Sequence, residues 1–156
     1  MQTWILDENF AVSASKLSLR HLQAQIYEGI QILASLLDYR DKLVNPKRSV
    51  ANHPASIQWK GYEFHLSQFV GSHLKEWFNR GYKSEVNLKN YENLLDQVNV
   101  DNRKVNEKVF NLIPYHKARL FFKMKDLYRE FEGIEVEEIY ITKSAFVDDK
   151  GNVFVK

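Results

Sequence analysis

A chain of 156 residues that is 44% hydrophobic and 27% charged has the size and composition of one globular domain with a single core. It contains no Cys, which excludes disulfides, thiolate metal ligands and a Cys nucleophile. No apolar run approaches the roughly 20 residues that span a bilayer. The first residues have neither the basic start nor the apolar stretch of a signal peptide. We therefore expect a cytoplasmic protein.

The first half of the chain predicts an extended start followed by two long helices. Thr3 to Leu6 has the pattern of a short strand or an extended arm, and Ser13 to Leu17 that of a helical turn. Ser18 is a suitable N-cap for a helix that continues to Tyr39. The second helix spans Gly61 to Arg80 and is ended by Gly81. The expected buried stripe of the first long helix is Leu19, Leu22, Ile26, Ile30, Leu33 and Leu37.

The second half of the chain predicts two further helices and a hairpin. Asn87 to Val98 has the spacing of a shorter helix, and Pro114 is suited to the first turn of a helix that continues to Phe131. Two segments of alternating apolar residues, Glu138 to Thr142 and Asn152 to Val155, flank a turn sequence that starts at Asp148. We therefore predict a mainly α fold, a single compact helical domain with a small C-terminal β-hairpin.

The charges are distributed unevenly, although the net charge is only +2. Residues 101–129 contain eight Lys or Arg and three acids, whereas residues 130–156 contain seven acids and three Lys. This asymmetry is compatible with a phosphate-binding face next to an acidic appendage. Two solvated surfaces of different composition would give the same pattern, so both interpretations stay open.

Common catalytic motifs are missing from the chain. It has no phosphate-binding glycine loop and no nucleophile elbow. His65 and His73 are eight residues apart on one predicted helix, too far for one metal ion, and we expect neither a metal nor another cofactor. His21 and Glu28 are seven residues apart, which places them on one helix face. Glu28 is then either a functional carboxylate or a surface residue paired with a lysine.

Two cations share a face of the helix predicted after Pro114. Arg119 and Lys123 are four residues apart, with Lys117 nearby. Paired cations on one face are suited to phosphate contacts, which position a protein on a duplex without reading its sequence. The solvated face of an amphipathic helix would also contain such residues. A polar loop that contains Asn52 and His53 connects the two long helices. On the first of these helices, Gly29 is a small residue that would let another group approach closely.

Several short motifs occur together in this chain. One window contains Asn52-His53-Pro54-Ala55, Trp59-Lys60-Gly61-Tyr62-Glu63 and Glu76-Trp77-Phe78-Asn79-Arg80-Gly81-Tyr82. Two further matches are His21-Leu22-Gln23-Ala24 followed by Glu28, and Ala118-Arg119-Leu120-Phe121-Phe122-Lys123. Together these residues resemble the pyrimidine-dimer DNA glycosylase family, which includes endonuclease V of the T-even phages, and more closely its bacterial branch.

The resemblance covers residues 1–131 and implies an endonuclease V-like helical domain, with residues 132–156 as a hairpin extension of the same domain. In this family an N-terminal α-amine attacks C1′ of the damaged nucleotide, expels the base and leaves an imine, and β-elimination then nicks the strand. An α-amine is suited to this role because much of it is unprotonated near neutral pH. The amine here would be that of Met1, and Glu28 would stabilise the cationic sugar and transfer protons.

The resemblance also implies a DNA partner and DNA-binding residues. His21 would lie beside the lesion sugar, and Asn52 with His53 would support the site or meet phosphate. The phosphate contacts would come from the basic helix, at Lys117, Arg119 and Lys123. The expected substrate is damaged or modified double-stranded DNA bound by a monomer in the nucleoid or in the cytoplasm of a phage-infected host, with no membrane involved.

The chain departs from the family pattern at the N-terminus and on the first long helix. Residue 2 is Gln, and removal of an initiator Met normally requires a small residue there, so we expect Met1 to be retained. Two family arginines are replaced by Tyr27 and Gln31. Nearby cations that could compensate are Lys16, Arg20, Lys47 and Arg48. A DNA-binding relative without catalysis and an interaction protein that kept the scaffold are therefore the alternatives.

Overall fold

The structure is a computed structural model that describes residues 1–46 and 48–156. Lys47 lies outside the described residues. The chain is mainly helical and ends in a two-stranded antiparallel hairpin, as predicted. In the described residues, no helix combines the length and the apolar character needed to cross a membrane. The helices are α1 (Phe10–Ser15), α2 (Leu19–Leu36), α3 (Pro54–Ile57), α4 (Glu63–Asn79), α5 (Glu85–Leu95), α6 (Ile113–Lys123) and α7 (Glu138–Thr142), and the strands are β1 (Ala145–Val147) and β2 (Val153–Val155).

Helices α2 and α4 form the centre of the fold and pack against each other. Ser18 caps α2 as predicted, because its side chain accepts the backbone N–H of His21. The two helices approach closely at Gly29, where an added Cβ would lie 2.9 Å from Cγ2 of Val70. The predicted close approach at this glycine is therefore the crossing of α2 and α4. The apolar stripe of α2 is buried as predicted except at its ends, where Leu19 is exposed and Leu37 only partly buried.

Helix α4 ends where the sequence predicted and is linked to α1 through Arg80. Gly81 follows with a φ of +91°, a left-handed conformation that favours glycine. The Arg80 guanidinium donates to the carbonyl oxygens of Ala14, Ser15 and Leu17, at 3.3, 3.3 and 2.8 Å. It also pairs with Glu76 at 2.9 Å. Arg80 therefore binds the C-terminal end of α1 to the last turn of α4.

Two boundary predictions were wrong in the basic helix and in the segment before the hairpin. Helix α6 ends at Lys123 instead of Phe131, because Met124 leaves the helical region and Tyr128 turns into the core with no exposed surface. Residues 138–142 form helix α7 rather than a strand, and Ile139 in it is 43% exposed. The first strand of the hairpin is instead β1, all three residues of which are buried.

Smaller differences concern the remaining element boundaries. The helical turn predicted at residues 13–17 begins earlier, as α1, because Asn9 caps it by accepting two backbone N–H groups. The helix predicted at residues 87–98 is α5, shifted towards the N-terminus by two or three residues. The predicted hairpin turn is present, and the Asp148 carboxylate holds it by accepting the backbone N–H groups of Lys150 and Asn152, both at 2.9 Å.

Candidate active site

The first residues of the chain form an extended arm that side chains hold in place inside the protein. Gln2 to Leu6 are all buried. The Gln25 side chain accepts the N–H of Trp4 at 2.6 Å and donates to the carbonyl oxygen of Gln2 at 3.0 Å. Nδ1 of buried His116 accepts the N–H of Ile5 at 2.9 Å. The arm is therefore fixed by side-chain partners that take the place of a neighbouring strand.

The motif-rich window also fixes the arm, through Thr3. Its hydroxyl oxygen accepts hydrogen bonds from Nε1 of Trp59 and Nε2 of Gln58, both at 3.1 Å. Trp59 has no exposed surface, so this hydrogen bond lies in the core. The Gln2 side chain donates to the carbonyl oxygen of Ala145 at 3.1 Å, which joins the arm to β1. These contacts leave little freedom in the position of Met1 next to them.

The arm leads into a cavity of about 270 Å³ that contains the principal predicted residues. The backbone N–H of Gln2 donates to Oε2 of Glu28 at 3.2 Å, so the chain terminus lies one residue from this carboxylate. Met1 is 39% exposed and accessible from solvent. The cavity is lined by Met1, Gln2, Trp4, His21, Ala24, Gln25, Glu28, Arg119, Lys123 and Ser144.

Two cations of α6 form the opposite wall of this cavity. The Lys123 ammonium lies 5.8 Å from the centre of the Trp4 ring. Burial and the neighbouring Arg119 lower the pKa of Lys123, while Glu28 acts in the opposite direction. Arg119 donates to the carbonyl oxygen of Ile141 at 2.8 Å, and its buried Nε has no hydrogen-bond partner. Arg119 and Lys123 therefore make this wall positive, which suits an anionic ligand.

His21 completes the cavity beside the arm and is held in one orientation. Its Nδ1 lies 2.5 Å from the Tyr128 hydroxyl and 3.2 Å from the Ser18 hydroxyl. Burial lowers the pKa of His21, and the charges of Lys123 and Arg20 lower it further. Arg20 itself is exposed on the outer side of α2 and does not line the cavity.

The polar residues of the Asn52 loop lie beside the cavity rather than in it. His53 is the N-cap of α3, and its Nδ1 accepts the N–H of Ala55 at 3.0 Å. Burial, the N-terminal ammonium and Lys156 lower the pKa of His53, in that order, so the chain terminus is within electrostatic reach of this ring. Asn52 is exposed. His53 is therefore a helix-entry cap, and its expected role in supporting the site or meeting phosphate stays a prediction.

Two other predicted cations, Lys117 and Lys16, and the residues that replace the two family arginines lie outside the cavity. The Lys117 ammonium lies 5.5 Å from the centre of the Phe131 ring, away from the cavity lining. Lys16 pairs with Glu130 at 2.9 Å. Tyr27 is exposed on α2, and Gln31 is buried. Among the predicted residues, the cavity thus brings together Met1, His21, Glu28, Arg119 and Lys123.

Five of the ten cavity residues were not predicted as site residues: Gln2, Trp4, Ala24, Gln25 and Ser144. Gln25 lies four residues after His21 and three before Glu28, so helical spacing alone places it on the same face. Trp4 could have been found as an aromatic residue close to a reactive terminus. Ser144 has no such signal, because it reaches the cavity through the fold of the C-terminal segment. Across residues 1–46 and 48–156, no group of three or more His, Asp or Glu is arranged to hold a metal ion.

Comparison with known proteins identifies the family. Residues 1–90 match the family model described as pyrimidine dimer DNA glycosylase, which is more than half of the 156 residues. The chain belongs to the pyrimidine dimer DNA glycosylase family. No curated protein and no solved structure matches the chain. The family is one of DNA repair glycosylases, and DNA is therefore the substrate class.

The match divides the residues of this glycosylase into two groups. It includes the arm, Met1, His21, Glu28 and the motif window up to α5. It does not include α6, α7 or the hairpin, so Arg119, Lys123 and Ser144 lie beyond the matched residues. The cavity is therefore built from residues inside the matched segment and from residues that follow it.

Proposed function

We propose that this glycosylase removes damaged or modified pyrimidines from duplex DNA and then nicks the resulting abasic strand by β-elimination. The α-amine of Met1 is the nucleophile and Glu28 is the proton-transfer group. The observation that carries the proposal is the 3.2 Å hydrogen bond from the N–H of Gln2 to Glu28, within a cavity that Met1 itself lines. An amine and a carboxylate in one accessible cavity are the two groups that imine chemistry needs.

The amine forms a bond to C1′ as the glycosidic bond breaks, and the base leaves with the electron pair and is protonated. Loss of an amine proton and opening of the sugar ring then give an imine between Met1 and C1′. Glu28 accepts that proton and returns it to the ring oxygen O4′ as the ring opens, so the carboxylate is ionised again when it removes a proton from C2′. The C3′–O bond breaks, which releases the 5′-phosphate end, and water hydrolyses the imine to regenerate the amine.

The remaining cavity residues support substrate binding in this proposal. Lys123 and Arg119 contact the phosphates next to the extruded nucleotide, since both form the positive wall of the cavity. His21 lies against the sugar as a neutral group. Residues 1–131 form the catalytic unit, and residues 132–156 extend the same domain through the contact between Gln2 and Ala145. A monomer acting where cellular DNA is located, in the cytoplasm, is sufficient for this chemistry.

Borohydride trapping on a duplex with one abasic site tests the proposal. Intact mass measurement first establishes that the purified protein carries Met1. Reduction should then give a covalent protein–DNA adduct, and peptide mapping should locate it on the α-amine of Met1. A Lys123→Ala variant is the matched control, because Lys123 is the other amine that lines the cavity. It should retain trapping, whereas an N-terminally acetylated protein should lose it.

The same experiment distinguishes the alternatives. An adduct on Lys123 would show that the nucleophile is the Lys123 amine and that the assignment to Met1 is wrong. Absence of an adduct, combined with duplex binding that weakens as salt rises, would indicate a DNA-binding relative without catalysis. Absence of both would indicate a protein that retains the scaffold alone. The replacement of two family arginines by Tyr27 and Gln31 is the observation that makes these outcomes worth testing.

A further inference from the structure

A second cavity of about 450 Å³ lies between the loop that contains α3 and the C-terminal hairpin. Its volume is within the range of roughly 300–1,000 Å³ that is typical of small-ligand sites. We call it the hairpin pocket; it is lined by Pro54, Ile57, Gln58, Lys60, Tyr62, Lys108, Val147, Asp148, Asp149, Phe154 and Lys156. Six of these residues follow residue 90, so more than half of the lining lies outside the family match.

The charges of the hairpin pocket favour an anionic ligand. Lys60, Lys108 and Lys156 line it, and in the described part of the chain none of the three forms an ion pair with a carboxylate. Two carboxylates, Asp148 and Asp149, also line the pocket, so its side chains carry three cations against two anions. The Asp148 carboxylate is held by hydrogen bonds from the backbone of the hairpin turn.

Two aromatic rings give the hairpin pocket a second kind of recognition surface. The Lys108 ammonium lies 5.7 Å from the centre of the Tyr62 ring. Phe154 is 37% exposed, and its ring centre lies 6.0 Å from that of the buried Phe146. The Phe154 ring therefore packs against the core on one side and is accessible to solvent on the other side. Aromatic rings beside unpaired cations form the combination that binds a base and its phosphate.

The hairpin pocket adjoins the candidate active site along the edge of the hairpin. Ser144 lines the N-terminal cavity and Lys156 lines the hairpin pocket, and the N–H of Lys156 donates to the carbonyl oxygen of Ser144 at 3.1 Å. Burial lowers the pKa of His53, both the N-terminal ammonium and Lys156 lower it further, and Pro54 next to it lines the hairpin pocket.

We propose that the hairpin pocket is a nucleotide-binding subsite, with the base against Phe154 and Tyr62 and the phosphate among Lys60, Lys108 and Lys156. A purely apolar ligand would leave three cations without a partner, and a bare phosphate would make no use of the rings. The choice of a nucleotide rests on the DNA-directed function proposed above. Its source is either a free mononucleotide or an unpaired nucleotide in a DNA strand, and the same chemistry recognises both.

Titrations followed by NMR of the full-length protein test the subsite. The probes are thymidine monophosphate, inorganic phosphate, a duplex with a single unpaired nucleotide and the fully paired duplex. Thymidine monophosphate should shift resonances of the hairpin and bind at least about tenfold more tightly than phosphate, because stacking adds affinity. If the unpaired duplex shifts the same resonances and the paired duplex does not, the natural source is a DNA strand. Binding of the free nucleotide alone would assign the pocket to mononucleotides.

Two substitutions with matched controls identify the groups responsible. Phe154→Ala should weaken nucleotide binding about tenfold, since base–aromatic stacking is lost, and Lys60→Glu should weaken it as strongly without touching the core. The controls are Tyr82→Ala and Lys89→Glu, an exposed aromatic and an exposed cation that line neither cavity. Both should bind as the unmodified protein does.

Three results would overturn the subsite: no hairpin shifts with any nucleotide probe, equal affinity for phosphate and nucleotide, or undiminished binding by Phe154→Ala and Lys60→Glu. Borohydride trapping separates this failure from failure of the proposed function. An adduct on Met1 without nucleotide binding at the hairpin removes the subsite and leaves the catalytic proposal in place. Nucleotide binding at the hairpin without an adduct removes the catalytic proposal and leaves the subsite in place.

Discussion

The window from Asn52 to Tyr82 and the N-terminal cavity differ in what their polar residues do. The window contains the most specific motifs of the chain, yet Arg80 binds backbone carbonyls, His53 caps a helix and Trp59 donates to Thr3. The cavity is assembled from short motifs that carry little information separately. The densest motifs thus identify the framework of this glycosylase, and the groups that we propose as reactive lie where that framework holds the N-terminal arm.

The largest effect should come from Glu28→Gln, which tests the cavity side of this comparison. The amide can still accept the N–H of Gln2, so the arm should remain in place, but it cannot take a proton. We expect the rate of strand nicking at an abasic site to fall by roughly 10²–10⁴-fold, with an unchanged midpoint of urea unfolding. Single-turnover kinetics on a labelled duplex measure the rate.

Glu63→Gln is the matched control for that prediction, because Glu63 belongs to the motif window and accepts the N–H of Gly61. It should nick DNA at a rate within a few-fold of the unmodified protein. An equal loss of rate in both variants would contradict the division between framework and reactive cavity.

The second prediction concerns stability on the window side. Arg80→Met leaves the carbonyl oxygens at the end of α1 without their donor, and it removes the ion pair with Glu76. The free energy of unfolding should fall by about 2–4 kcal/mol, as measured by urea denaturation. Nicking per folded molecule should persist, since Arg80 does not line the cavity.

Arg129→Met provides the comparison for Arg80. Arg129 pairs with Asp126 at the surface, where the two side chains are 74% and 90% exposed. Its loss should cost less than about 1 kcal/mol. If the two arginine variants are equally stable, the structural role assigned to Arg80 is wrong.

The third prediction uses the histidine that connects the arm to β1. His116 accepts the N–H of Ile5 and lies against the carbonyl oxygen of Ala145, and burial lowers its pKa to about 3. Between its unfolded and folded pKa values, the unfolded state binds a proton that the folded state does not. Stability should therefore fall as the pH falls from about 6.5, by about 2 kcal/mol between pH 7 and pH 5 from this group alone.

Urea unfolding of the unmodified protein and of His116→Gln across that pH range measures this contribution. The glutamine side chain retains a hydrogen-bonding group but does not titrate. The unfolding free energy of His116→Gln should depend on pH less steeply than that of the unmodified protein. The difference in slope should correspond to close to one proton. The buried residues His65 and His73, whose pKa values burial lowers to about 4, remain in both proteins and act as an internal reference. Equal slopes in the two proteins would contradict the prediction.

Local signals predicted much of the framework but not the segments that depend on distant partners. Ser18 as a cap and Gly81 as a stop are each determined within a few residues of the chain. Helix α6 ends early because Tyr128 turns inward, and its hydroxyl accepts the N–H of Ser18 at 3.0 Å. That partner is 110 residues away in the sequence, beyond the reach of periodicity.

The residues of the candidate site also divide into those that local sequence predicts and those that distant segments place. His21 and Glu28 were predicted from their spacing on one helix, and Gln25 between them follows the same rule although it was not predicted. Ser144 could not be found, because its position depends on β1 packing against the arm through the Gln2 side chain. A helix face can be predicted from the sequence, whereas a cavity wall contributed by a distant segment requires the fold.

The smallest expected effect is that of substituting one of two lysines in α6. Comparing the two variants tests whether the cavity is the phosphate-binding face. Lys123 lines the cavity and Lys117 lies over the Phe131 ring outside it. Lys123→Ala should weaken duplex binding several-fold and reduce the slope of log K against log salt by about 1, because one counterion fewer is released. Lys117→Ala should leave that slope unchanged. Fluorescence anisotropy at several salt concentrations measures both, and a smaller slope for Lys117→Ala alone would place the DNA on the other side of α6.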